Sequence, residues 1–185
     1  MKKGKLIVIS APSGCGKTTI VERLLKRNKD LIRSISYTTR SPRTGEVNGR
    51  DYFFVSPKDF LGKEKKNFFL ESAEVFGQHY GTSKDFVMSH ANQNKNVVLA
   101  IDVQGMRQLK QKESKDLSIT SIFIMPPSDE VLRSRLENRK TETKEEIAKR
   151  LEVAREEMKA KSLYDFVIVN QEIEQAVKLI EEKIK

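Results

Sequence analysis

The run Ala11-Pro12-Ser13-Gly14-Cys15-Gly16-Lys17-Thr18 carries the clearest chemistry in the chain. It matches G-x-x-x-x-G-K-[ST], the pattern of a phosphate-binding loop, at every fixed position but the first, where Ala11 replaces glycine. Each retained residue type has a physical task. Gly14 and Gly16 let the backbone curl until its N–H groups face a phosphate. A helix opening near Lys17 adds its positive end. Lys17 is a mobile point charge for terminal phosphates, and the Thr18 hydroxyl is a ligand for Mg²⁺. Cys15 has two readings. A helix N-terminus and a neighbouring lysine favour a reactive thiolate; the simpler reading is a small residue whose backbone does the binding.

Other candidate groups are less specific alone. Arg40 and Arg43 lie three apart and can form a planar, bidentate clamp on a phosphate, or can be a solvated loop. Arg133, Arg135 and Arg139, with Arg150 further on, are interleaved with Glu137, Glu142, Glu145 and Glu146, the pattern of a salt-bridged helix surface. The two histidines, His79 and His90, show no ligand spacing and are assigned no role.

The elements that must hold these groups follow from periodicity. Leu6–Ile9 is a continuous apolar run, as expected of a strand buried on both faces. Lys17 to Arg27 reads as a helix with Ile20, Val21, Leu24 and Leu25 on one side. The loop thus sits between a buried strand and a helix, as phosphate binding requires. Further buried strands are expected at 97–101, 119–125 and 166–169, with helices near 83–94, 103–114, 128–138, 143–160 and 172–184. The alternation implies an α/β fold with a central, mainly parallel sheet. Residues 32–82 break the rhythm with β-prone and turn residues, and read as a small inserted β-rich subdomain. Residues 126–155 begin with Pro126-Pro127 and form a charged helical pair suited to a moving lid. Residues 1–185 therefore read as one domain, with its core at about 1–31, 83–125 and 156–185.

Composition sets outer limits. A chain of 185 residues with 37% hydrophobic and 33% charged residues reads as soluble and globular. The net charge of +9 allows nucleic acid, anionic membrane or small phosphorylated substrates as partners. The basic residues are scattered, with no long basic block and no aromatic-interleaved pattern, so neither nucleic acid nor membrane is expected. The single cysteine excludes an intrachain disulfide and suits a reducing compartment. The apolar run near the N-terminus is too short for a secretory leader, and no stretch has the length of a transmembrane helix. The expectation is a cytoplasmic protein, monomeric or weakly oligomeric.

The acceptor of the phosphate is named by a longer stretch. Ser36-Tyr37-Thr38-Thr39-Arg40-Ser41-Pro42-Arg43-Thr44-Gly45-Glu46-Val47-Asn48-Gly49-Arg50-Asp51-Tyr52-Phe53-Phe54-Val55 resembles the S-x-T-T-R-x-P-R-x-G-E-x-x-G-x-x-Y-x-F-V block of the guanylate kinase family. Phe69-Leu70-Glu71, Tyr80-Gly81-Thr82, Ile101-Asp102-Val103-Gln104-Gly105, Ile122–Ser128 and Val167–Asn170 continue the resemblance in order, from about residue 5 to 182. It implies a P-loop NTPase fold, with residues 32–82 as the GMP-binding insertion and 126–155 as the lid. It also implies transfer of the γ-phosphoryl of ATP to GMP, with Mg²⁺ carried by the ATP.

The resemblance carries roles onto particular residues. For ATP these are Ala11, Pro12, Ser13, Gly14, Cys15, Gly16, Lys17, Thr18 and Thr19, with Arg135 and Asn170 near adenine. For GMP they are Ser36, Arg40, Arg43, Tyr52, Glu71, Tyr80, Gly81, Thr82 and Asp102. Tyr52 and Tyr80 join the two arginines on the phosphate. Glu71 and Asp102 accept from the guanine N–H groups, while Ser36 and Thr82 serve its acceptor edge. The catalytic set is Lys17, Arg40, Arg43, Arg135, Arg139 and Arg150. Outside this context Tyr52 reads as core, Glu71 as a surface carboxylate and Asp102 as a helix N-cap. Besides Ala11, the chain departs from the family at Ala100, where an acidic residue is frequent, and at Gln171, where aspartate is. Other readings are a P-loop kinase for another acceptor, a catalytically silent scaffold domain, and a nucleic-acid binder; dGMP is a further candidate substrate.

Overall fold

The computed structural model describes residues 3–112, 118–138 and 143–185. In chain order the elements are β1 (Leu6–Ser10), α1 (Lys17–Arg27), β2 (Leu31–Arg33), β3 (Tyr37–Thr38), β4 (Phe53–Phe54) and α2 (Pro57–Lys65). There follow β5 (Phe69–Val75), β6 (Gln78–Ser83), α3 (Lys84–Asn92), β7 (Asn96–Ala100), α4 (Val103–Gln111) and β8 (Ile119–Met125). The chain closes with α5 (Asp129–Glu137), α6 (Lys144–Lys159), β9 (Phe166–Val169) and α7 (Ile173–Ile184). A five-stranded sheet has the order β2-β7-β1-β8-β9, with β2 parallel to β7 and β8 parallel to β9. A four-stranded sheet has the order β4-β3-β6-β5. This is the expected α/β architecture.

The chain divides into two compact units: Met1–Leu6, Asp30–Leu99 and Gln104–Ser118 form one, and Ile7–Lys29, Ala100–Val103 and Ile119–Lys185 the other. In the second, every residue of β1 is buried, as a strand covered on both faces requires. Helix α1 turns Ile20, Val21 and Leu24 inward, and α7 does the same with Ala176, Val177, Ile180 and Ile184. The two helices lie side by side; Asn28 Nδ2 donates to Glu181 Oε1 at 2.8 Å, and Arg23 and Arg27 pair with Glu174. Helices α5 and α6 start at the side-chain caps Ser128 and Thr143, the latter in a capping box with Glu146.

The first unit holds the four-stranded sheet. Its β5–β6 hairpin turns on Phe76 (φ 51) and Gly77 (φ 71), the two left-handed positions that a tight hairpin of this hand needs. Tyr37 stacks on Phe53 and meets the edges of Phe68 and Phe69, while Phe60 stacks on Phe69, so the sheet has its own aromatic core.

Two elements go beyond the sequence expectation. Residues 57–65 form α2 inside the β-prone segment, because Ser56 accepts from the Asp59 N–H and Pro57 takes the first helical position. Residues 31–33 form β2, an edge strand of the larger sheet.

Candidate active site

The phosphate loop lies wholly in the second unit. Gly14 (φ 90) and Gly16 (φ 83) both occupy the left-handed region that the loop pattern demands. Gly16 is the N-cap of α1 and supplies no side-chain acceptor, so the first-turn N–H groups keep their anion-binding capacity. Substitution is barred on steric grounds too. A Cβ at Gly16 would stand 2.8 Å from Asn170 Nδ2, and one at Gly14 would press on Leu132 and Leu136 of α5.

The loop is tied down from behind. Asn170, directly after β9, is buried; its Nδ2 donates to the Cys15 carbonyl at 2.9 Å, and its own N–H donates to the Met125 carbonyl. Its Oδ1 is buried with no hydrogen-bond partner among the described residues. Arg135 Nη2 donates to the Asn170 carbonyl at 3.0 Å, while Arg135 Nη1 is buried and equally unmatched. The two residues assigned to adenine by resemblance are thus neighbours. Each has a buried polar atom that a ligand could satisfy.

Lys17 Nζ donates to the Ile101 carbonyl at 3.0 Å, one residue before Asp102. Arg150 reaches across from α6, its Nη1 donating to Ser13 Oγ at 3.0 Å. Thr18 and Thr19 are exposed at the start of α1. An exposed hydroxyl on a first helical turn suits a metal that arrives with a polyphosphate. Among the described residues no group of three or more His, Cys, Asp or Glu could hold a metal by itself. Arg139 lies outside the described residues.

The structure favours the simpler of the two readings of Cys15. The residue is fully buried, and burial pushes its thiol up to about 12, with Glu157 adding to the rise and Arg135 and Lys17 failing to offset it. Desolvation outweighs the two neighbouring cations, so the buried thiol holds its proton, as a residue that serves the loop through its backbone would.

One titratable residue with a perturbed environment carried no assignment from the sequence. Glu157 of α6 is partly buried. Burial, with the Asp102 carboxylate, raises its carboxyl to about 7 against the pull of Lys17 and of the nearby Ser13 N–H. In the sequence it is one of several glutamates on a charged helix, and nothing local singles it out.

The acceptor residues, apart from Asp102, lie in the first unit. Arg40 donates through Nη2 to both Glu46 oxygens at 2.9 Å and through Nη1 to the Ser41 carbonyl at 2.7 Å. Its guanidinium stands 5.3 Å from the Tyr52 ring centroid, and the Tyr52 and Tyr80 rings meet edge to face at 6.1 Å. Burial works to lower the Arg40 pKa, but Glu46 outweighs it, so the cation is secure. Burial raises the Tyr52 phenol, which keeps its proton and remains a donor. Arg43 is exposed; its N–H donates to Glu46 at 2.8 Å, and the Glu46 N–H donates back to its carbonyl. Glu46, which carried no assignment, therefore organises both arginines.

Deeper in the same sheet, Glu71 and Thr82 are paired across β5 and β6. Both are buried, with exposures of 3% and 1%, and Thr82 Oγ1 has no hydrogen-bond partner among the described residues. Gly81 precedes Thr82 because the Phe69 ring lies over it: a Cβ there would stand 2.8 Å from that ring. Ser36 is half-buried just before β3. A separate cavity of about 800 Å³, lined by lysines of α2 and the start of α3, touches none of these residues.

Comparison with known proteins bears on the family and the fold. Residues 3–185 match the family model described as guanylate kinase. The chain is 46% identical over 179 residues to the guanylate kinase of Caldanaerobacter subterraneus subsp. tengcongensis, covering 97% of this chain and 85% of that one. It is 44% identical over 178 residues to that of a Wolbachia from Brugia malayi, covering 96% and 90%. The crystal structure of guanylate kinase from Anaplasma phagocytophilum superposes with a TM-score of 0.83 at 34% identity, over 99% of this chain and 85% of that one.

Proposed function

This chain belongs to the guanylate kinase family, and from that premise we propose that it transfers the γ-phosphoryl of ATP to GMP, giving ADP and GDP. The observation that carries the choice of acceptor is the buried Glu71–Thr82 pair. A carboxylate and an unmatched hydroxyl shut away from water discriminate strongly, because a base with the wrong edge leaves them unsatisfied. Guanine offers N–H donors to Glu71 and Asp102, and acceptors to Ser36 and Thr82. Arg40, Arg43, Tyr52 and Tyr80 hold the GMP phosphate.

Residues Ala11–Thr19 cradle the ATP phosphates, with Lys17 on the terminal pair. Arg135 and Asn170 meet adenine, and Arg139 and Arg150 meet the transferring group. Phosphoryl transfer needs positioned reactants and fixed cations more than covalent help, so these residues suffice for the in-line step. Mg²⁺, entering with ATP and held at Thr18, would neutralise phosphate charge. In this reading residues 32–82 are the acceptor insertion, 126–155 a lid that excludes water, and the remainder the core. The protein works in the cytoplasm as a monomer or weak oligomer, without nucleic acid or membrane. No described helix is long and apolar enough to cross a membrane.

The test is ADP production from ATP and Mg²⁺ with GMP, AMP, CMP, UMP or dTMP added singly. The expected result is turnover with GMP alone. Preference for another acceptor overturns the guanine assignment. No turnover from a folded protein that binds GMP points to a silent binding domain.

A further inference from the structure

Strand β5 is an edge of the four-stranded sheet, so no strand of that sheet pairs its outer backbone groups. Side chains of α4 pair them instead. Gln108 takes both backbone groups of Ser72: its Oε1 accepts from the Ser72 N–H at 3.2 Å, and its Nε2 donates to the Ser72 carbonyl. Gln104 Nε2 donates to the Glu74 carbonyl at 2.8 Å, and Lys112 Nζ donates to the Leu70 carbonyl at 2.9 Å. Lys112 lies one residue past α4 and continues its turn, its N–H donating to the Gln108 carbonyl. The two spacings match. Residues 104, 108 and 112 are four apart and share one helix face, while residues 70, 72 and 74 are two apart and share one strand edge. Three side chains thus stand where a further strand would.

This ladder falls at an irregularity. Phe69 pairs with Ser83 and Glu71 with Thr82, so β5 carries Leu70 between them as an extra residue, a bulge. A bulge breaks the regular pairing, increases the local twist and re-aims the side chains beside it. The next residue is Glu71, whose carboxylate is buried. Lys112 holds the carbonyl of the bulged Leu70 and Gln108 holds both groups of Ser72, so the backbone is gripped on either side of Glu71. The helix that bears the ladder is anchored in turn by Met106 and Leu109, both buried.

We propose that Gln108 is a positioning residue for base recognition: with Lys112 it holds the β5 bulge in the register and twist that aim the Glu71 carboxylate at guanine. It acts through the strand and does not touch the base. Glutamine suits this place because an amide side chain offers an acceptor and a donor side by side, matching the N–H and C=O that one edge residue presents. The need for such a hold is physical. A carboxylate that reads a base edge must be held to within about 0.5 Å, and a bulge without an outer partner can relax between registers. The inference rests on Glu71 reading guanine in the proposed reaction.

The experiment is a double-mutant cycle of Gln108→Met and Glu71→Gln, read by titrating GMP and ATP separately and by steady-state kinetics, after a thermal melt shows each protein folded. Methionine keeps the length of the glutamine side chain and removes both hydrogen bonds. Gln108→Met should weaken GMP binding about fivefold, the scale of a lost hydrogen bond, with ATP binding and kcat within about twofold of wild type. In the Glu71→Gln background, where the carboxylate is already gone, the same change should cost less than about twofold more. Lys112→Ala, at the exposed end of the ladder, should act in the same direction by about twofold, and it carries the cycle should Gln108→Met not fold. Unchanged GMP binding in the ladder variants overturns the proposal. So does an equal loss of GMP and ATP, or a full fivefold loss that persists without the Glu71 carboxylate, since either makes the ladder a purely structural support. Glu71→Gln alone with undiminished GMP binding overturns the guanine reading itself, and this inference with it.

Discussion

The phosphate loop and the acceptor sheet meet the same ligand chemistry by opposite means. The loop is built from backbone: two glycines at positive φ, the open N-terminus of α1, and ties from Asn170 and Arg150 that hold its shape. The acceptor region is built from side chains: Arg40 oriented by Glu46 and Tyr52 on one part of the sheet, Glu71 and Thr82 facing each other on another. Backbone donors are indifferent to residue type, which is why Cys15 is tolerated where the pattern allows variation and Ala11 even where it specifies glycine. They recognise phosphate and little else. Side-chain groups on a rigid sheet can read a base edge, so under the proposed function specificity resides there.

The contrast is sharpest for the single cation of the loop. Lys17→Ala removes the only charged side chain of residues 11–19, the one that the proposed function sets on the terminal phosphates. Turnover should fall by about three orders of magnitude or more, on the scale of a transition-state cation. A coupled assay for ADP checks this, and near-normal turnover would break the mechanism.

Glu71→Gln should act on choice more than on rate. Replacing a buried acceptor-only group by one that also donates misaligns the guanine edge, and kcat/KM for GMP should fall about tenfold to a hundredfold. Competition between GMP and AMP measures the narrowed preference. An unchanged preference would remove Glu71 from the base site.

The smallest effect is one of pH on stability. Glu157 has its folded pKa raised to about 7 from an ordinary 4.5, so the folded state favours the protonated form. Between these values the native state binds the extra proton. Stability from this group is therefore present at low pH and lost as pH rises through about 7. The upper bound on that loss is on the order of 3 kcal/mol. Denaturant melts at pH 5 and pH 8 should show Glu157→Gln gaining on wild type at the higher pH. Parallel curves would mean the carboxyl is not perturbed.

Much of this was legible in the residues. The loop pattern, strands β1, β7 and β8 and the helix periods depend on local chemistry, and they fell where the sequence indicated; β9 also fell in place but is an edge strand with Val167 and Val169 exposed, not the buried strand its apolar run implied. Helix α2 was not read, because its Ser56-Pro57 start lies among aromatic and β-branched residues that suggest strands. Glu46 lay within the matched block, yet only the folded turn shows it gripping Arg40 from both oxygens. Glu157 is one of several glutamates on a charged helix, and no local signal separates it from Glu152 or Glu156 until the helix is laid against Ser13. Cys15 shows the same gap: the helix terminus is visible in sequence, but the burial that overrides it is not.

The division of labour is tested most directly by titrating ATP and GMP separately into Lys17→Ala and Glu71→Gln. The account predicts a crossed result: Lys17→Ala loses ATP affinity and keeps GMP, whereas Glu71→Gln loses GMP affinity and keeps ATP. Loss of both ligands in both folded variants would contradict it.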